Sequence, residues 1–116
     1  MNKMRQKSEL LKSCIGKNKK LSGLVEYAAD SIVSKTIIDK SAGTITLFAF
    51  DKTQKLSEHT TPFDAVVQII EGSAKLTIGG KEKIVSAGEI VIMPADVPHA
   101  VEAQEKFKML LTMVRN

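Results

Sequence analysis

His59 and His99 are the only histidines in this 116-residue chain. Each lies in a short stretch of the kind that holds a metal ion or a small polar ligand. The first is His59-Thr60-Thr61-Pro62-Phe63-Asp64-Ala65, running on to Glu71-Gly72. The second begins at Gly88-Glu89 and ends at Pro94-Ala95-Asp96-Val97-Pro98-His99. Neutral imidazoles suit Zn, Fe, Ni, Cu or Mn, with geometry choosing among them. Forty residues separate the pair, so only a fold can bring the two rings together.

The elements that must do this read mainly as strands. Residues 9–15 form a short helix: Ser8 can cap it, Leu10, Leu11, Cys14 and Ile15 share one face, and Gly16 can end it. Beyond a polar connector, residues 24–27, 31–38 and 44–50 are rich in β-branched and aromatic residues. Residues 66–70 are nearly continuously apolar, as in a strand buried on both faces. Residues 74–78 and 81–85 flank Gly79-Gly80, a two-residue hairpin signal. Residues 89–93, 98–103 and 107–114 complete the series. About nine or ten short strands at this spacing predict an all-β sandwich or barrel. The length suits one domain, preceded by a basic helix or arm over residues 1–20, with the barrel over 21–116.

Charge and composition exclude several functions. Residues 1–20 carry seven cations and one acid, while the remainder carries ten cations and twelve acids. The body is therefore not basic, and no nucleic-acid partner is expected. No run is long and apolar enough for a membrane helix, and the N-terminus lacks a signal peptide's apolar stretch. Cys14 is the single cysteine, so no intrachain disulfide forms, and a cytoplasmic location is expected. Ser22, Ser31 and Ser34 have no nucleophile-elbow context, and there is no phosphate-cradling glycine loop.

The residues from His59 to Ala103 resemble the two signature motifs of the cupin superfamily. His59 and Gly72 match the first motif; Gly88, Pro94 and His99 match the second, at the family spacing. The resemblance implies a double-stranded β-helix, a jelly-roll barrel, with both histidines projecting into its mouth. It also implies a metal held by three His and one Glu, and here the sequence departs. Thr61 stands at the second His position and Ala65 at the Glu position. Asp96 and Thr53 replace usual glycines, and Ala103 replaces a usual Asn.

Two imidazoles are fewer than the four ligands of a structural zinc or the three of a catalytic one. Asp64 and Glu58 adjoin ligand positions, but a one-residue offset on a strand turns a side chain to the opposite face unless a bulge intervenes. The expected pocket is mostly apolar: His59, Thr61, Ala65, Val67, Ile69, Ile92 and His99. Met93, Met109 and Met113 read as core fillers rather than soft ligands.

Three functions follow as expectations. The first is a small-ligand binding module without a full metal site. The second is a metal-dependent enzyme of oxygenase or isomerase type, whose site on His59 and His99 is completed by water or substrate around Zn, Ni, Fe, Cu or Mn. The third is self-association. The early strands and residues 107–114 are apolar on both alternating faces, which predicts a homodimer compatible with either chemistry.

Overall fold

A computed structural model describes residues 8–115. Lys3, Arg5 and Lys7 of the basic arm lie outside them. Nine strands are found among these residues: β1 (Ile32–Lys40), β2 (Gly43–Phe50), β3 (Lys55–His59), β4 (Asp64–Glu71), β5 (Ser73–Ile78), β6 (Lys81–Ser86), β7 (Ile90–Met93), β8 (His99–Glu102) and β9 (Phe107–Val114). A helix, α1 (Glu9–Cys14), precedes them. Its first turn is held by Ser8, whose Oγ accepts from the Leu11 N–H at 3.0 Å. The expected strand over residues 24–27 is absent; a 3-10 turn (Leu21–Gly23) leads into irregular backbone there. Val25 and Tyr27 instead serve packing against the sheet.

The strands form two antiparallel sheets, ordered β1-β2-β9-β4-β7 and β3-β8-β5-β6. This is the all-β jelly-roll architecture with a short N-terminal helix. The chain crosses between sheets at Gly72, the one residue between β4 and β5. Gly72 has φ +75°, and a Cβ there would lie 2.5 Å from the Lys106 carbonyl oxygen. Only glycine fits both constraints. The Gly79-Gly80 hairpin forms as expected, with Ile78 opposite Lys81.

Alternation along each strand sends one set of side chains between the sheets. Phe50, Val67, Ile69, Phe107 and Met109 from one sheet meet Ala74, Leu76, Val85 and Val101 from the other. Phe50 and Phe107 stack with centroids 4.6 Å apart. Each fully buried large side chain contributes roughly 1.5–3 kcal/mol of burial energy. This interior holds the barrel together and leaves one end free to carry a site.

A second cluster lies on the outer face of the five-stranded sheet. Val25, Leu47 and Ala49 are fully buried there, against Leu10, Leu24, Tyr27, Val33, Ile37, Ile70 and Leu110. Part of the outward apolar surface that suggested a partner is thus covered by the chain's own N-terminal segment. A polar clasp fastens it. Lys108, 6% exposed, donates to the Ser22 carbonyl at 2.6 Å and lies 3.9 Å from the Glu71 carboxylate. Tyr27 donates to Glu71 at 2.6 Å, and the Lys108 ammonium sits over the Tyr27 ring. Burial, reinforced by Glu71, raises the Tyr27 pKa, so the phenol keeps its proton. No helix among the described residues is long and apolar enough to cross a membrane.

Candidate functional site

His59 ends β3 and His99 begins β8, and the two are register partners. The register between these strands shifts: Leu56 faces Val101, yet His59 faces His99, three residues on against two. The extra residue is a β-bulge. Strict alternation from Leu56 would turn Glu58 inward and His59 outward. The bulge reverses this, so Leu56 and His59 both line the interior cavity while Glu58 is exposed.

The rings meet edge to face, with centroids 4.4 Å apart and planes at 71°. The two Nε2 atoms are 3.1 Å apart. Each Nδ1 contacts the carbonyl two residues earlier in its own strand or turn: His59 to Ser57 at 2.8 Å, His99 to Val97 at 3.2 Å. A carbonyl only accepts, so each Nδ1 that makes this bond carries the ring's hydrogen. His99 is 3% exposed, whereas His59 faces solvent. Burial lowers the His99 pKa, with a smaller push from His59 and an opposing pull from the Val97 carbonyl.

The pair forms one wall of a cavity of about 170 Å³ between the sheets. Thr61 and Ala65 line it too. Val67 and Ile69 do point inward, but they are packed in the core deeper along β4 and are not part of the wall. Ile92 requires a correction. It is 48% exposed and pairs with Val66 on the outer face, while Met93 pairs with Ala65 and faces the cavity. The run Ile90-Val91-Ile92-Met93 is apolar throughout, so its alternation could not reveal the inner face. Phe48 of β2 and Met109, Leu111 and Met113 of β9 line the cavity from the five-stranded sheet, while Leu56 and Val101 lie on the histidines' own strands. Met109 and Met113 were expected as core fillers, but β9, apolar on both alternating faces, carries no mark of where the packed core gives way to open space.

No Lys, Arg, Asp or Glu lines the cavity. A larger hollow of about 440 Å³ lies beside α1 and β1, but it is a shallow groove of Ser8, Glu9, Leu10, Ser13, Lys35 and Thr36 without convergent chemistry.

The sequence from residue 46 to 115 matches the family profile of the cupin domain. The chain belongs to the cupin family. Among solved structures, this cupin is 37% identical to a conserved protein of unknown function from Streptococcus pyogenes. That likeness covers 86% of this chain and 88% of the other, with a TM-score of 0.83. It is 41% identical to a cupin 2 conserved barrel domain protein from Leptotrichia buccalis, over 81% of this chain and 46% of that one, with a TM-score of 0.79. A cupin superfamily protein from Desulfitobacterium hafniense matches at 24% identity, over 83% and 88% of the two chains, with a TM-score of 0.80. No curated protein matches the sequence.

Cupins often bind metals, and the donors in this one can be tested for that role. Among the described residues no group of three or more His, Cys, Asp and Glu gathers at one point. The Thr61 hydroxyl is engaged with the Phe63 backbone, donating to its carbonyl at 3.1 Å and accepting from its N–H at 3.4 Å. Ala65 offers a methyl group. The donor set that the family's three-His, one-Glu centre requires is therefore not assembled by this cupin's own residues.

Proposed function

We propose that this cupin binds a small organic molecule in the barrel mouth, against His59 and His99, without a complete metal site of its own. One observation carries the reading: a half-open, mostly apolar cavity of about 170 Å³ with two imidazole Nε2 atoms converging on one wall. Apolar enclosure supplies affinity and a few placed polar atoms fix orientation. An apolar cavity of about 150 Å³ suffices for a benzene-sized molecule. Because the chain has only two histidines, their ring signals in an NMR spectrum report the site directly. Single-ring aromatics should shift both signals, and Ala65→Leu, which fills the cavity, should abolish the shifts while the fold persists. Unchanged ring signals with every such compound would refute the reading.

A second reading is a metal-dependent enzyme of oxygenase or isomerase type, on a two-His site completed by water or substrate. The ring geometry favours it. Bonds of about 2.0–2.1 Å to one ion place two imidazole nitrogens about 2.9–3.4 Å apart, and Nδ1 bonding to a backbone carbonyl is the usual support of a ligating histidine. Titrating the metal-free chain with Zn, Ni, Fe, Cu and Mn decides it. Binding by none removes this reading.

A second copy of the chain is the protein partner that goes with either reading. β7 is an edge strand whose Ile90 and Ile92 are exposed. An exposed apolar edge strand pairs naturally with its own twofold copy. A monomer by light scattering at micromolar concentration would remove that partner.

A further inference from the structure

The two rings make three contacts that each call for one hydrogen: His59 Nδ1 to the Ser57 carbonyl, His99 Nδ1 to the Val97 carbonyl, and Nε2 to Nε2. Two neutral imidazoles carry only two ring hydrogens between them. With both Nδ1–H groups directed at carbonyls, both Nε2 atoms present lone pairs, and these oppose each other at 3.1 Å. The site is one hydrogen-bond donor short.

No other protein side chain lining the cavity makes up the deficit. The Thr61 hydroxyl already donates to the Phe63 carbonyl. The remaining wall, including Leu56, Met93, Leu111 and Met113, is apolar. No cationic side chain lines the cavity, so nothing there would neutralise an incoming anion.

We infer that the ligand class of this cavity is an uncharged, mostly apolar molecule bearing one hydroxyl group, whose O–H supplies the missing hydrogen to the paired Nε2 atoms. The inference rests on the small-molecule reading above and sharpens it from shape to chemistry. The hydroxyl hydrogen lies between two acceptors and bonds to one or is shared by both. The carbon body fills the space against Met93, Leu111 and Met113. A carboxylate is disfavoured, because it arrives as an acceptor facing two acceptors. An ether or hydrocarbon of the same outline leaves the deficit in place.

The test compares phenol, anisole, toluene and benzoate as probes, by calorimetry and by the imidazole ¹⁵N signals. It is run at about pH 8, where a phenol remains neutral and a carboxylic acid is ionised. Phenol should bind about tenfold or more tightly than anisole or toluene, the equivalent of one net hydrogen bond. Phenol alone should move an Nε2 signal in the direction of an accepted hydrogen bond. In His59→Leu with His99→Leu, which removes both acceptors, the preference for phenol over anisole should shrink towards unity while toluene still binds. Equal binding of phenol and anisole would overturn the donor inference yet leave the cavity reading intact. Tightest binding by benzoate would overturn it in favour of a positively charged pair. An Nε2 found carrying its own hydrogen in the free protein would remove the premise. Binding by none of the four would overturn the cavity reading and this inference with it.

Discussion

His99 is buried to 3% exposure, yet the ring it touches, His59, faces solvent. Two chemically identical groups in contact therefore sit in different media. Burial is the largest cause holding His99 below the ordinary histidine value of 6.5. Between its folded pKa and 6.5 the unfolded chain binds more protons at this position than the folded one. The contribution to stability is complete above 6.5 and is lost as pH falls through the folded pKa. The melting temperature should therefore decline as pH is lowered from 7 towards 5, and His99→Gln should flatten that segment. Superimposable profiles for the variant and the parent would show that His99 is not the group responsible.

Thr53 and Asp96 both have positive φ, +76° and +64°. These are the positions where the family motifs carry glycine. Left-handed backbone is costly for a β-branched residue and better tolerated by Asp. Thr53→Gly should raise stability by about 1 kcal/mol after the entropy cost of glycine is deducted, several degrees in melting temperature. Asp96→Gly should gain less. Calorimetry of the two variants ranks them, and a larger gain at Asp96 would contradict the strain argument.

The clasp of Tyr27, Glu71 and Lys108 predicts local as well as global effects. Lys108 is buried but its partner Glu71 is half exposed, which screens the pair. Lys108→Met should cost about 2 kcal/mol, and Tyr27→Phe about 1 kcal/mol. Both should speed amide exchange over residues 21–27, where the clasp holds the chain to β9. A uniform loss of protection across all strands would instead indicate that the segment has no separate opening.

Restoring the two absent ligands should restore the family's ion. Thr61→His with Ala65→Glu should bind one divalent ion per chain at least about tenfold more tightly than the parent, following the usual ligand requirement. Isothermal titration with Zn or Mn measures the difference. Equal affinity in parent and variant would mean that His59 and His99 already suffice.

Much of the barrel could be read from the sequence because its signals are local. The Gly79-Gly80 turn, the alternation of β2 and β9 and the spacing of Gly88, Pro94 and His99 each depend on residues close in the chain. The site was legible as a place, through His59, Thr61, Ala65 and His99. Its walls were less so. Ile92 and Met93 are equally apolar, and only the pairing of Ala65 with Met93 decides which faces inward. Strand β3, Lys-Leu-Ser-Glu-His, has a single apolar residue and no pattern to announce it. The outer cluster was hidden for a related reason: the apolar positions of β2 and β9 were visible, but not that residues 10 and 24–27 would return to cover them.

The bulge in β3 makes the identity of the site's first functional group a matter of counting. With every residue kept but the bulge straightened, strict alternation from Leu56 would bring a carboxylate, Glu58, opposite His99 in place of an imidazole. A pair of bases would become an acid beside a base. A slip of one residue in register, with no substitution at any wall residue, thus separates two different chemistries.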